Sequence, residues 1–130
     1  MGILNQEAVN DTAKLIMHRL ISRALDRDPS LLEYARISHV RASGRFPEKA
    51  FVNAWFDVLR RPLPELRSLL VSRTPEMNRL RLSSPFVVGG GGVHFGDPAL
   101  RRRIWAAARR LRTRRAGFDI RPAASPPTET

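Results

Sequence analysis

Prolines divide this chain into short segments. Pro29, Pro47, Pro62, Pro64, Pro75 and Pro98 each sit where an apolar run of helical spacing begins or ends. Proline inside a helix removes a backbone donor and clashes with the preceding turn, whereas at the first helical position it is tolerated. The chain therefore reads as a series of helices, opened or ended at these prolines and folded on one another.

The first segment, residues 6–27, carries Val9, Ala13, Ile16, Met17, Leu20, Ile21 and Ala24 on one stripe, with Asn5 as its cap and Glu7 in its first turn. Asp28-Pro29 ends it and opens a second helix, about 29–42, which carries Leu31, Leu32, Ala35 and Ile37 and stops before Gly44. Phe46-Pro47-Glu48 opens a third, with Phe51, Val52, Trp55, Phe56 and Leu59 as the most hydrophobic run. Pro64 starts a fourth through about Val71, and Thr74-Pro75-Glu76 a fifth with Met77, Leu80 and Leu82 as its apolar face. Asp97-Pro98 caps the last helix, about 98–115. Between Ser83 and Gly96, two short apolar runs flank Gly89–Gly92, which fits a small hairpin or a loop.

The fold expected is all-α, a single bundle of five to six helices over residues 1–115 around Trp55, Phe56, Ile16, Leu20 and Leu70. A Gly-rich loop precedes the basic C-terminal helix, and Pro122, Pro126 and Pro127 mark a disordered tail over 116–130. An apolar fraction of 42% in 130 residues suits one domain with one core. With no cysteine, disulfides, thiol chemistry and thiolate metal sites are excluded, and a reducing compartment is favoured. The start Met1-Gly2-Ile3-Leu4 lacks the basic and long apolar regions of a signal peptide, and Gln6 departs from the myristoylation pattern. No apolar run is long enough to span a bilayer, so a cytoplasmic protein without a membrane partner is expected.

Charge carries the functional signal. The net charge is +11, and of 23 basic residues only Lys14 and Lys49 are lysines. Genome composition can enrich arginine over lysine, but it does not explain the excess over acids. Residues 1–62 hold 10 basic and 7 acidic groups, whereas residues 63–130 hold 13 and 5. Arg101, Arg102, Arg103, Arg109, Arg110, Arg112, Arg114 and Arg115 fall within residues 99–115, which contain no acid. On a helical wheel Leu100, Ile104, Ala107, Ala108 and Leu111 form a narrow docking stripe, and most of the arginines fan around the rest. Like charges at i,i+4 repel by about 0.3 kcal/mol per pair, and no glutamate is interspersed to relieve this. The planar guanidinium fork suits phosphate and carboxylate. Two partners fit such a face: nucleic acid, DNA or RNA, and an acidic protein surface. The alternative is a solvated basic face with no partner. Trp105 lies among these arginines, placed either to stack on a base or anchor an interface, or to join a wider apolar stripe.

Catalytic and cofactor motifs are lacking. Gly89–Gly92 precede a helix start, but no Gly-Lys-Ser/Thr follows and no G-x-G-x-x-G register exists, so the phosphate-loop reading fails. His18, His39 and His94 are far apart, without metal-ligand spacing; His18 and His39 are read as boundary residues, and only His94, beside the glycines, merits a test. No nucleophile, base and orienter assemble, so a non-enzymatic protein with no cofactor or metal is expected. Residues 64–82 outline a helix-turn-helix with Asn78, Arg79 and Arg81 on the second helix, making Arg79 and Arg81 secondary contacts, though packing of two short helices explains the same pattern.

Taken in order, His18-Arg19, Asp28-Pro29, Ala35-Arg36, Trp55 to Leu59, Arg79-Leu80-Arg81-x-Ser83-Ser84-Pro85-Phe86 and Arg101 to Trp105 resemble a family of small, uncharacterised bacterial helical proteins. The resemblance covers about residues 14–110, with the R-L-R-x-S-S-P-F segment its most specific part. It implies an accessory or antitoxin-like partner in a small operon and transfers no catalytic residue. The glycine run and the strong basicity depart from that pattern. The expectation is thus a binding protein that meets nucleic acid through residues 99–115 or, alternatively, grips an acidic protein in the manner of an antitoxin-like neutraliser.

Overall fold

Asn5 starts the first helix by a local device. Its side chain accepts from the backbone N–H of Glu7 (2.9 Å) and Ala8 (3.3 Å), two donors that no helical turn can satisfy. From this cap α1 runs Gln6–Leu25 and buries Val9, Ala13, Met17, Ile21 and Leu25, one residue per turn. In this computed structural model, residues 5–45, 49–87 and 97–124 are described, with 115–124 as backbone only.

Asp28 then makes the turn into α2 (Ser30–Arg45), its carboxylate accepting from the N–H of Ser30 (3.1 Å) and from the Ser30 hydroxyl (2.5 Å). Against expectation α2 does not stop at Gly44 but continues to Arg45. A Cβ at Gly44 would meet nothing within 4 Å, so no packing demand sets the helix end there. The proline-led opening expected at Phe46-Pro47-Glu48 lies outside the described residues. From Ala50 to Leu59, α3 buries Val52, Trp55, Val58 and Leu59; α4 (Leu63–Leu70) buries Leu66 and Leu70. Thr74 caps α5 (Pro75–Leu80) by accepting from Met77 N–H at 3.2 Å. A 3-10 turn, Arg81–Ser83, follows directly, and α6 spans Pro98–Ala124. The described residues contain six α-helices and no strand, so the molecule is a small all-helical bundle.

α1 is the central strut. It packs most extensively against α6 and also against α4, α2 and the 3-10 turn, while α2 lies mainly on α3. Trp55 fills the middle of the core, with its indole N–H donating to the Leu80 carbonyl (3.0 Å) and the Phe86 ring edge-on at 6.4 Å. Ile16 and Leu20 pack on the periphery of this core, half-buried.

Six side chains sit differently from the wheel, among them Ile37, which leaves the apolar stripe of α2 and is 46% exposed. Phe56, expected inside, is 48% exposed. With Trp55, Val52 and Leu59 inward, a position 100° further round the helix must face out. There Phe56 lies beneath the Arg60 guanidinium (4.9 Å) and beside the His39 ring (6.1 Å). Leu82, 52% exposed, leaves the apolar face because the tightening to 3-10 geometry turns Arg81 inward instead. Leu111, 44% exposed, lies beyond the docked part of α6, where Ile104 and Ala108 are buried. His18 and His39 are both core residues rather than boundary ones.

α6 also runs past its expected end at Arg115. No residue between Pro98 and Pro122 forbids helical φ and ψ, and the helix carries Pro122 within its last turn. The tail expected to be disordered over 116–130 is therefore helical up to Ala124, and residues 125–130 lie outside the described residues. So do residues 88–96, and with them the hairpin or loop expected at Gly89–Gly92 and the readings on His94. Just before them Ser84–Val87 form a turn, with Val87 N–H donating to the Ser84 carbonyl at 3.1 Å.

Candidate anion-binding face

α6 is oriented at its start by Asp97, whose carboxylate accepts from Ala99 N–H (3.4 Å) and Leu100 N–H (3.3 Å). Burial of Ile104 and Ala108 against α1 then fixes its rotation. With that stripe inward, Arg102, Arg103, Arg109, Arg110 and Arg114 are exposed, and Arg101 and Arg112 are half-buried. Arg102/Arg103 and Arg109/Arg110 form two guanidinium pairs on the outer surface. They are separated by seven residues, roughly 10 Å along the axis. The ion pairs among the described residues join Arg36 to Glu33, Arg61 to Glu65 and Arg67 to Asp26, and none of them draws on α6.

Trp105 is not displayed for stacking. Its indole N–H donates to the Asn10 side-chain oxygen at 2.9 Å, and its ring packs against the core at the α1–α6 seam. Two cations cover what remains: the Arg101 guanidinium lies 4.9 Å from the ring centroid and the Lys14 ammonium 5.8 Å. Burial, and then the Arg101 charge, lower the pKa of Lys14. Trp105 thus holds the basic helix to the body and carries Arg101 on its outer face.

The two secondary contacts proposed from sequence separate. Arg79 is exposed. Arg81 is 1% exposed and turned inward, donating to the carbonyls of Leu70 (3.1 Å) and Ser72 (2.7 Å) and to the Asn78 side-chain oxygen. Its Nε has no hydrogen-bond partner. Burial lowers its pKa, the Asp11 carboxylate opposes that shift, and the Arg19 charge adds to it. Arg81 is thus occupied at the end of α4 and is not displayed on the surface as a secondary contact.

A second polar chain crosses the core beside it. His18 Nδ1 lies 2.7 Å from the Lys14 carbonyl, which can only accept, so Nδ1 carries the hydrogen. Nε2 is then the acceptor for the Ser84 hydroxyl at 2.7 Å, and Ser84 Oγ accepts in turn from Phe86 N–H at 3.2 Å. The neutral ring is fully used. Its pKa falls to about 4, chiefly through burial, against the raising effect of the Lys14 carbonyl and with the Arg81 and Lys14 charges acting in the same sense as burial. This is a structural relay between α1 and the Ser84 turn. No group of histidine and acidic side chains among the described residues has metal-binding geometry.

Arg112 and Arg114 face a different environment from the outer pairs. They line a cleft of about 730 Å³ together with Arg19 of α1 and Arg73 from the α4–α5 connection. Neither Arg19 nor Arg73 is legible as a site residue in the sequence, because only tertiary packing brings them to α6. Comparisons with known protein families, curated proteins and solved structures find no match for this chain.

Proposed function

We propose that this chain is a non-enzymatic nucleic-acid-binding protein that engages the phosphate backbone through the outer face of α6. What supports the reading is a run of guanidiniums on one helix, anchored from behind by Trp105 and Ile104, with no α6 arginine among the described ion pairs. An uncompensated fork of this kind exchanges water for phosphate oxygens and releases the counterions condensed on the nucleic acid. The roughly 10 Å between Arg102/Arg103 and Arg109/Arg110 also corresponds to about three base steps of 3.4 Å. A reducing bacterial cytoplasm is the compartment that goes with this proposal. No described helix is long and apolar enough to cross a membrane.

The test is a binding titration at several salt concentrations. On duplex DNA, four phosphate contacts give log K against log salt a slope of about −3.6, and the triple variant Arg102→Ala/Arg109→Ala/Arg110→Ala brings it close to −1. Salt-independent binding refutes the proposal. A partner that stays bound after nuclease treatment, and is lost in the same triple variant, replaces it with the protein-partner reading of an antitoxin-like neutraliser.

A further inference from the structure

The cleft between α1, Arg73 and the far part of α6 has a composition that the outer face lacks. Its lining combines an apolar set, Leu15, Ile16 and the half-exposed Leu111, with four arginines, Arg19, Arg73, Arg112 and Arg114. Asn78 adds an oriented donor. Arg81 donates to its side-chain oxygen, which leaves the amide NH₂ as the group free to serve the cleft. The one carboxylate, Asp11, is outnumbered by guanidiniums and can accept an N–H. At about 730 Å³ the cleft falls in the usual range of sites for small organic groups, about 300–1,000 Å³.

We infer that this cleft receives an unpaired nucleotide of a single-stranded DNA or RNA segment. The base lies against Leu15, Ile16 and Leu111, its phosphates are held by the arginines, and Asn78 and Asp11 face the base edge. The inference rests on the nucleic-acid reading above and deepens it. A bare phosphate leaves the apolar lining empty, and a duplex cannot offer a base face because its bases are stacked and paired. A single strand supplies an apolar face and an anion within one nucleotide. Leu111 is explained at the same time, since an exposed leucine among arginines has little use on a face that meets only phosphates.

The experiment compares an oligonucleotide of roughly 12 nucleotides as a single strand, DNA and RNA in separate arms, with the duplex of the same sequence. Arg73→Ala and Leu111→Ser alter exposed side chains and leave the fold intact, as thermal unfolding will verify. Each weakens single-strand binding about tenfold and leaves duplex binding within about twofold. Leu111→Met, which keeps the apolar lining, preserves the wild-type preference. The outer triple variant weakens both forms together. If the cleft variants leave the ratio of single-strand to duplex affinity unchanged while nucleic acid still binds, the cleft inference fails and the outer-face reading stands. If the wild-type chain binds neither form, the reading beneath it fails as well.

Discussion

The corner around Arg81 and the outer face of α6 use the same side chain for opposite purposes. At the corner a single guanidinium is out of water and two backbone carbonyls and an amide oxygen receive its N–H groups. Along α6, Arg102, Arg103, Arg109 and Arg110 stand in solvent and take no part in the described ion pairs. The difference shows that an arginine's role follows from the acceptors around it. Where the chain ends a helix and leaves carbonyls orphaned, as α4 does at Leu70 and Ser72, a guanidinium becomes part of the fold. Where neighbouring acceptors are missing, it stays available to something outside.

That contrast breaks most readily at Arg81. Arg81→Ala strands two carbonyls and the Asn78 amide and leaves a void, at a cost of about 4 kcal/mol and roughly 15 °C in Tm. A change of only a degree or two by calorimetry would place Arg81 with the surface arginines. Next in size is the pH response of the neighbouring relay. The folded-state pKa of His18, about 4, lies below its ordinary 6.5. As pH falls through that window the unfolded chain takes up a proton that the folded state refuses, so stability is full above 6.5 and declines down to 4. The decline amounts to about 3 kcal/mol. Urea titrations at pH 7 and pH 4.5 measure it, and equal midpoints would contradict the buried neutral ring.

A smaller effect tests the seam. Trp105→Phe keeps the ring but removes the donor to Asn10, and should cost about 1 kcal/mol. Smallest of all for the fold is the outer triple variant. Removing Arg102, Arg109 and Arg110 relieves mutual repulsion, so the unfolding midpoint should stay within about 0.5 kcal/mol of the parent. A loss on the scale of Arg81→Ala would erase the distinction between the two regions.

The helix starts were legible in the sequence because their causes are local: Asn5, Asp28, Thr74 and Asp97 each accept from N–H groups two or three residues on. The core centred on Trp55 and Leu70 was legible too, through 3.6-residue spacing. What failed depended on small rotations or distant partners. Phe56 and Leu82 moved outward because one residue's twist decides which neighbour of a buried side chain faces solvent. Residue preference points to helix ends at Gly44 and Arg115, but both helices run on past them, to Arg45 and Ala124. Arg81 was grouped with the surface arginines because the carbonyls that claim it lie about ten residues away in sequence, at the end of another helix. The cleft draws Arg19, Arg73 and Arg112 from three separate stretches, and no linear pattern announces that.

Because Arg81 is sealed inside, dissolved ions cannot gather around it as they do around an exposed side chain. Its charge acts on Asp11 and Arg19, both walls of the cleft. Raising ionic strength therefore mutes the charges of the outer helix more than it mutes that interior cation.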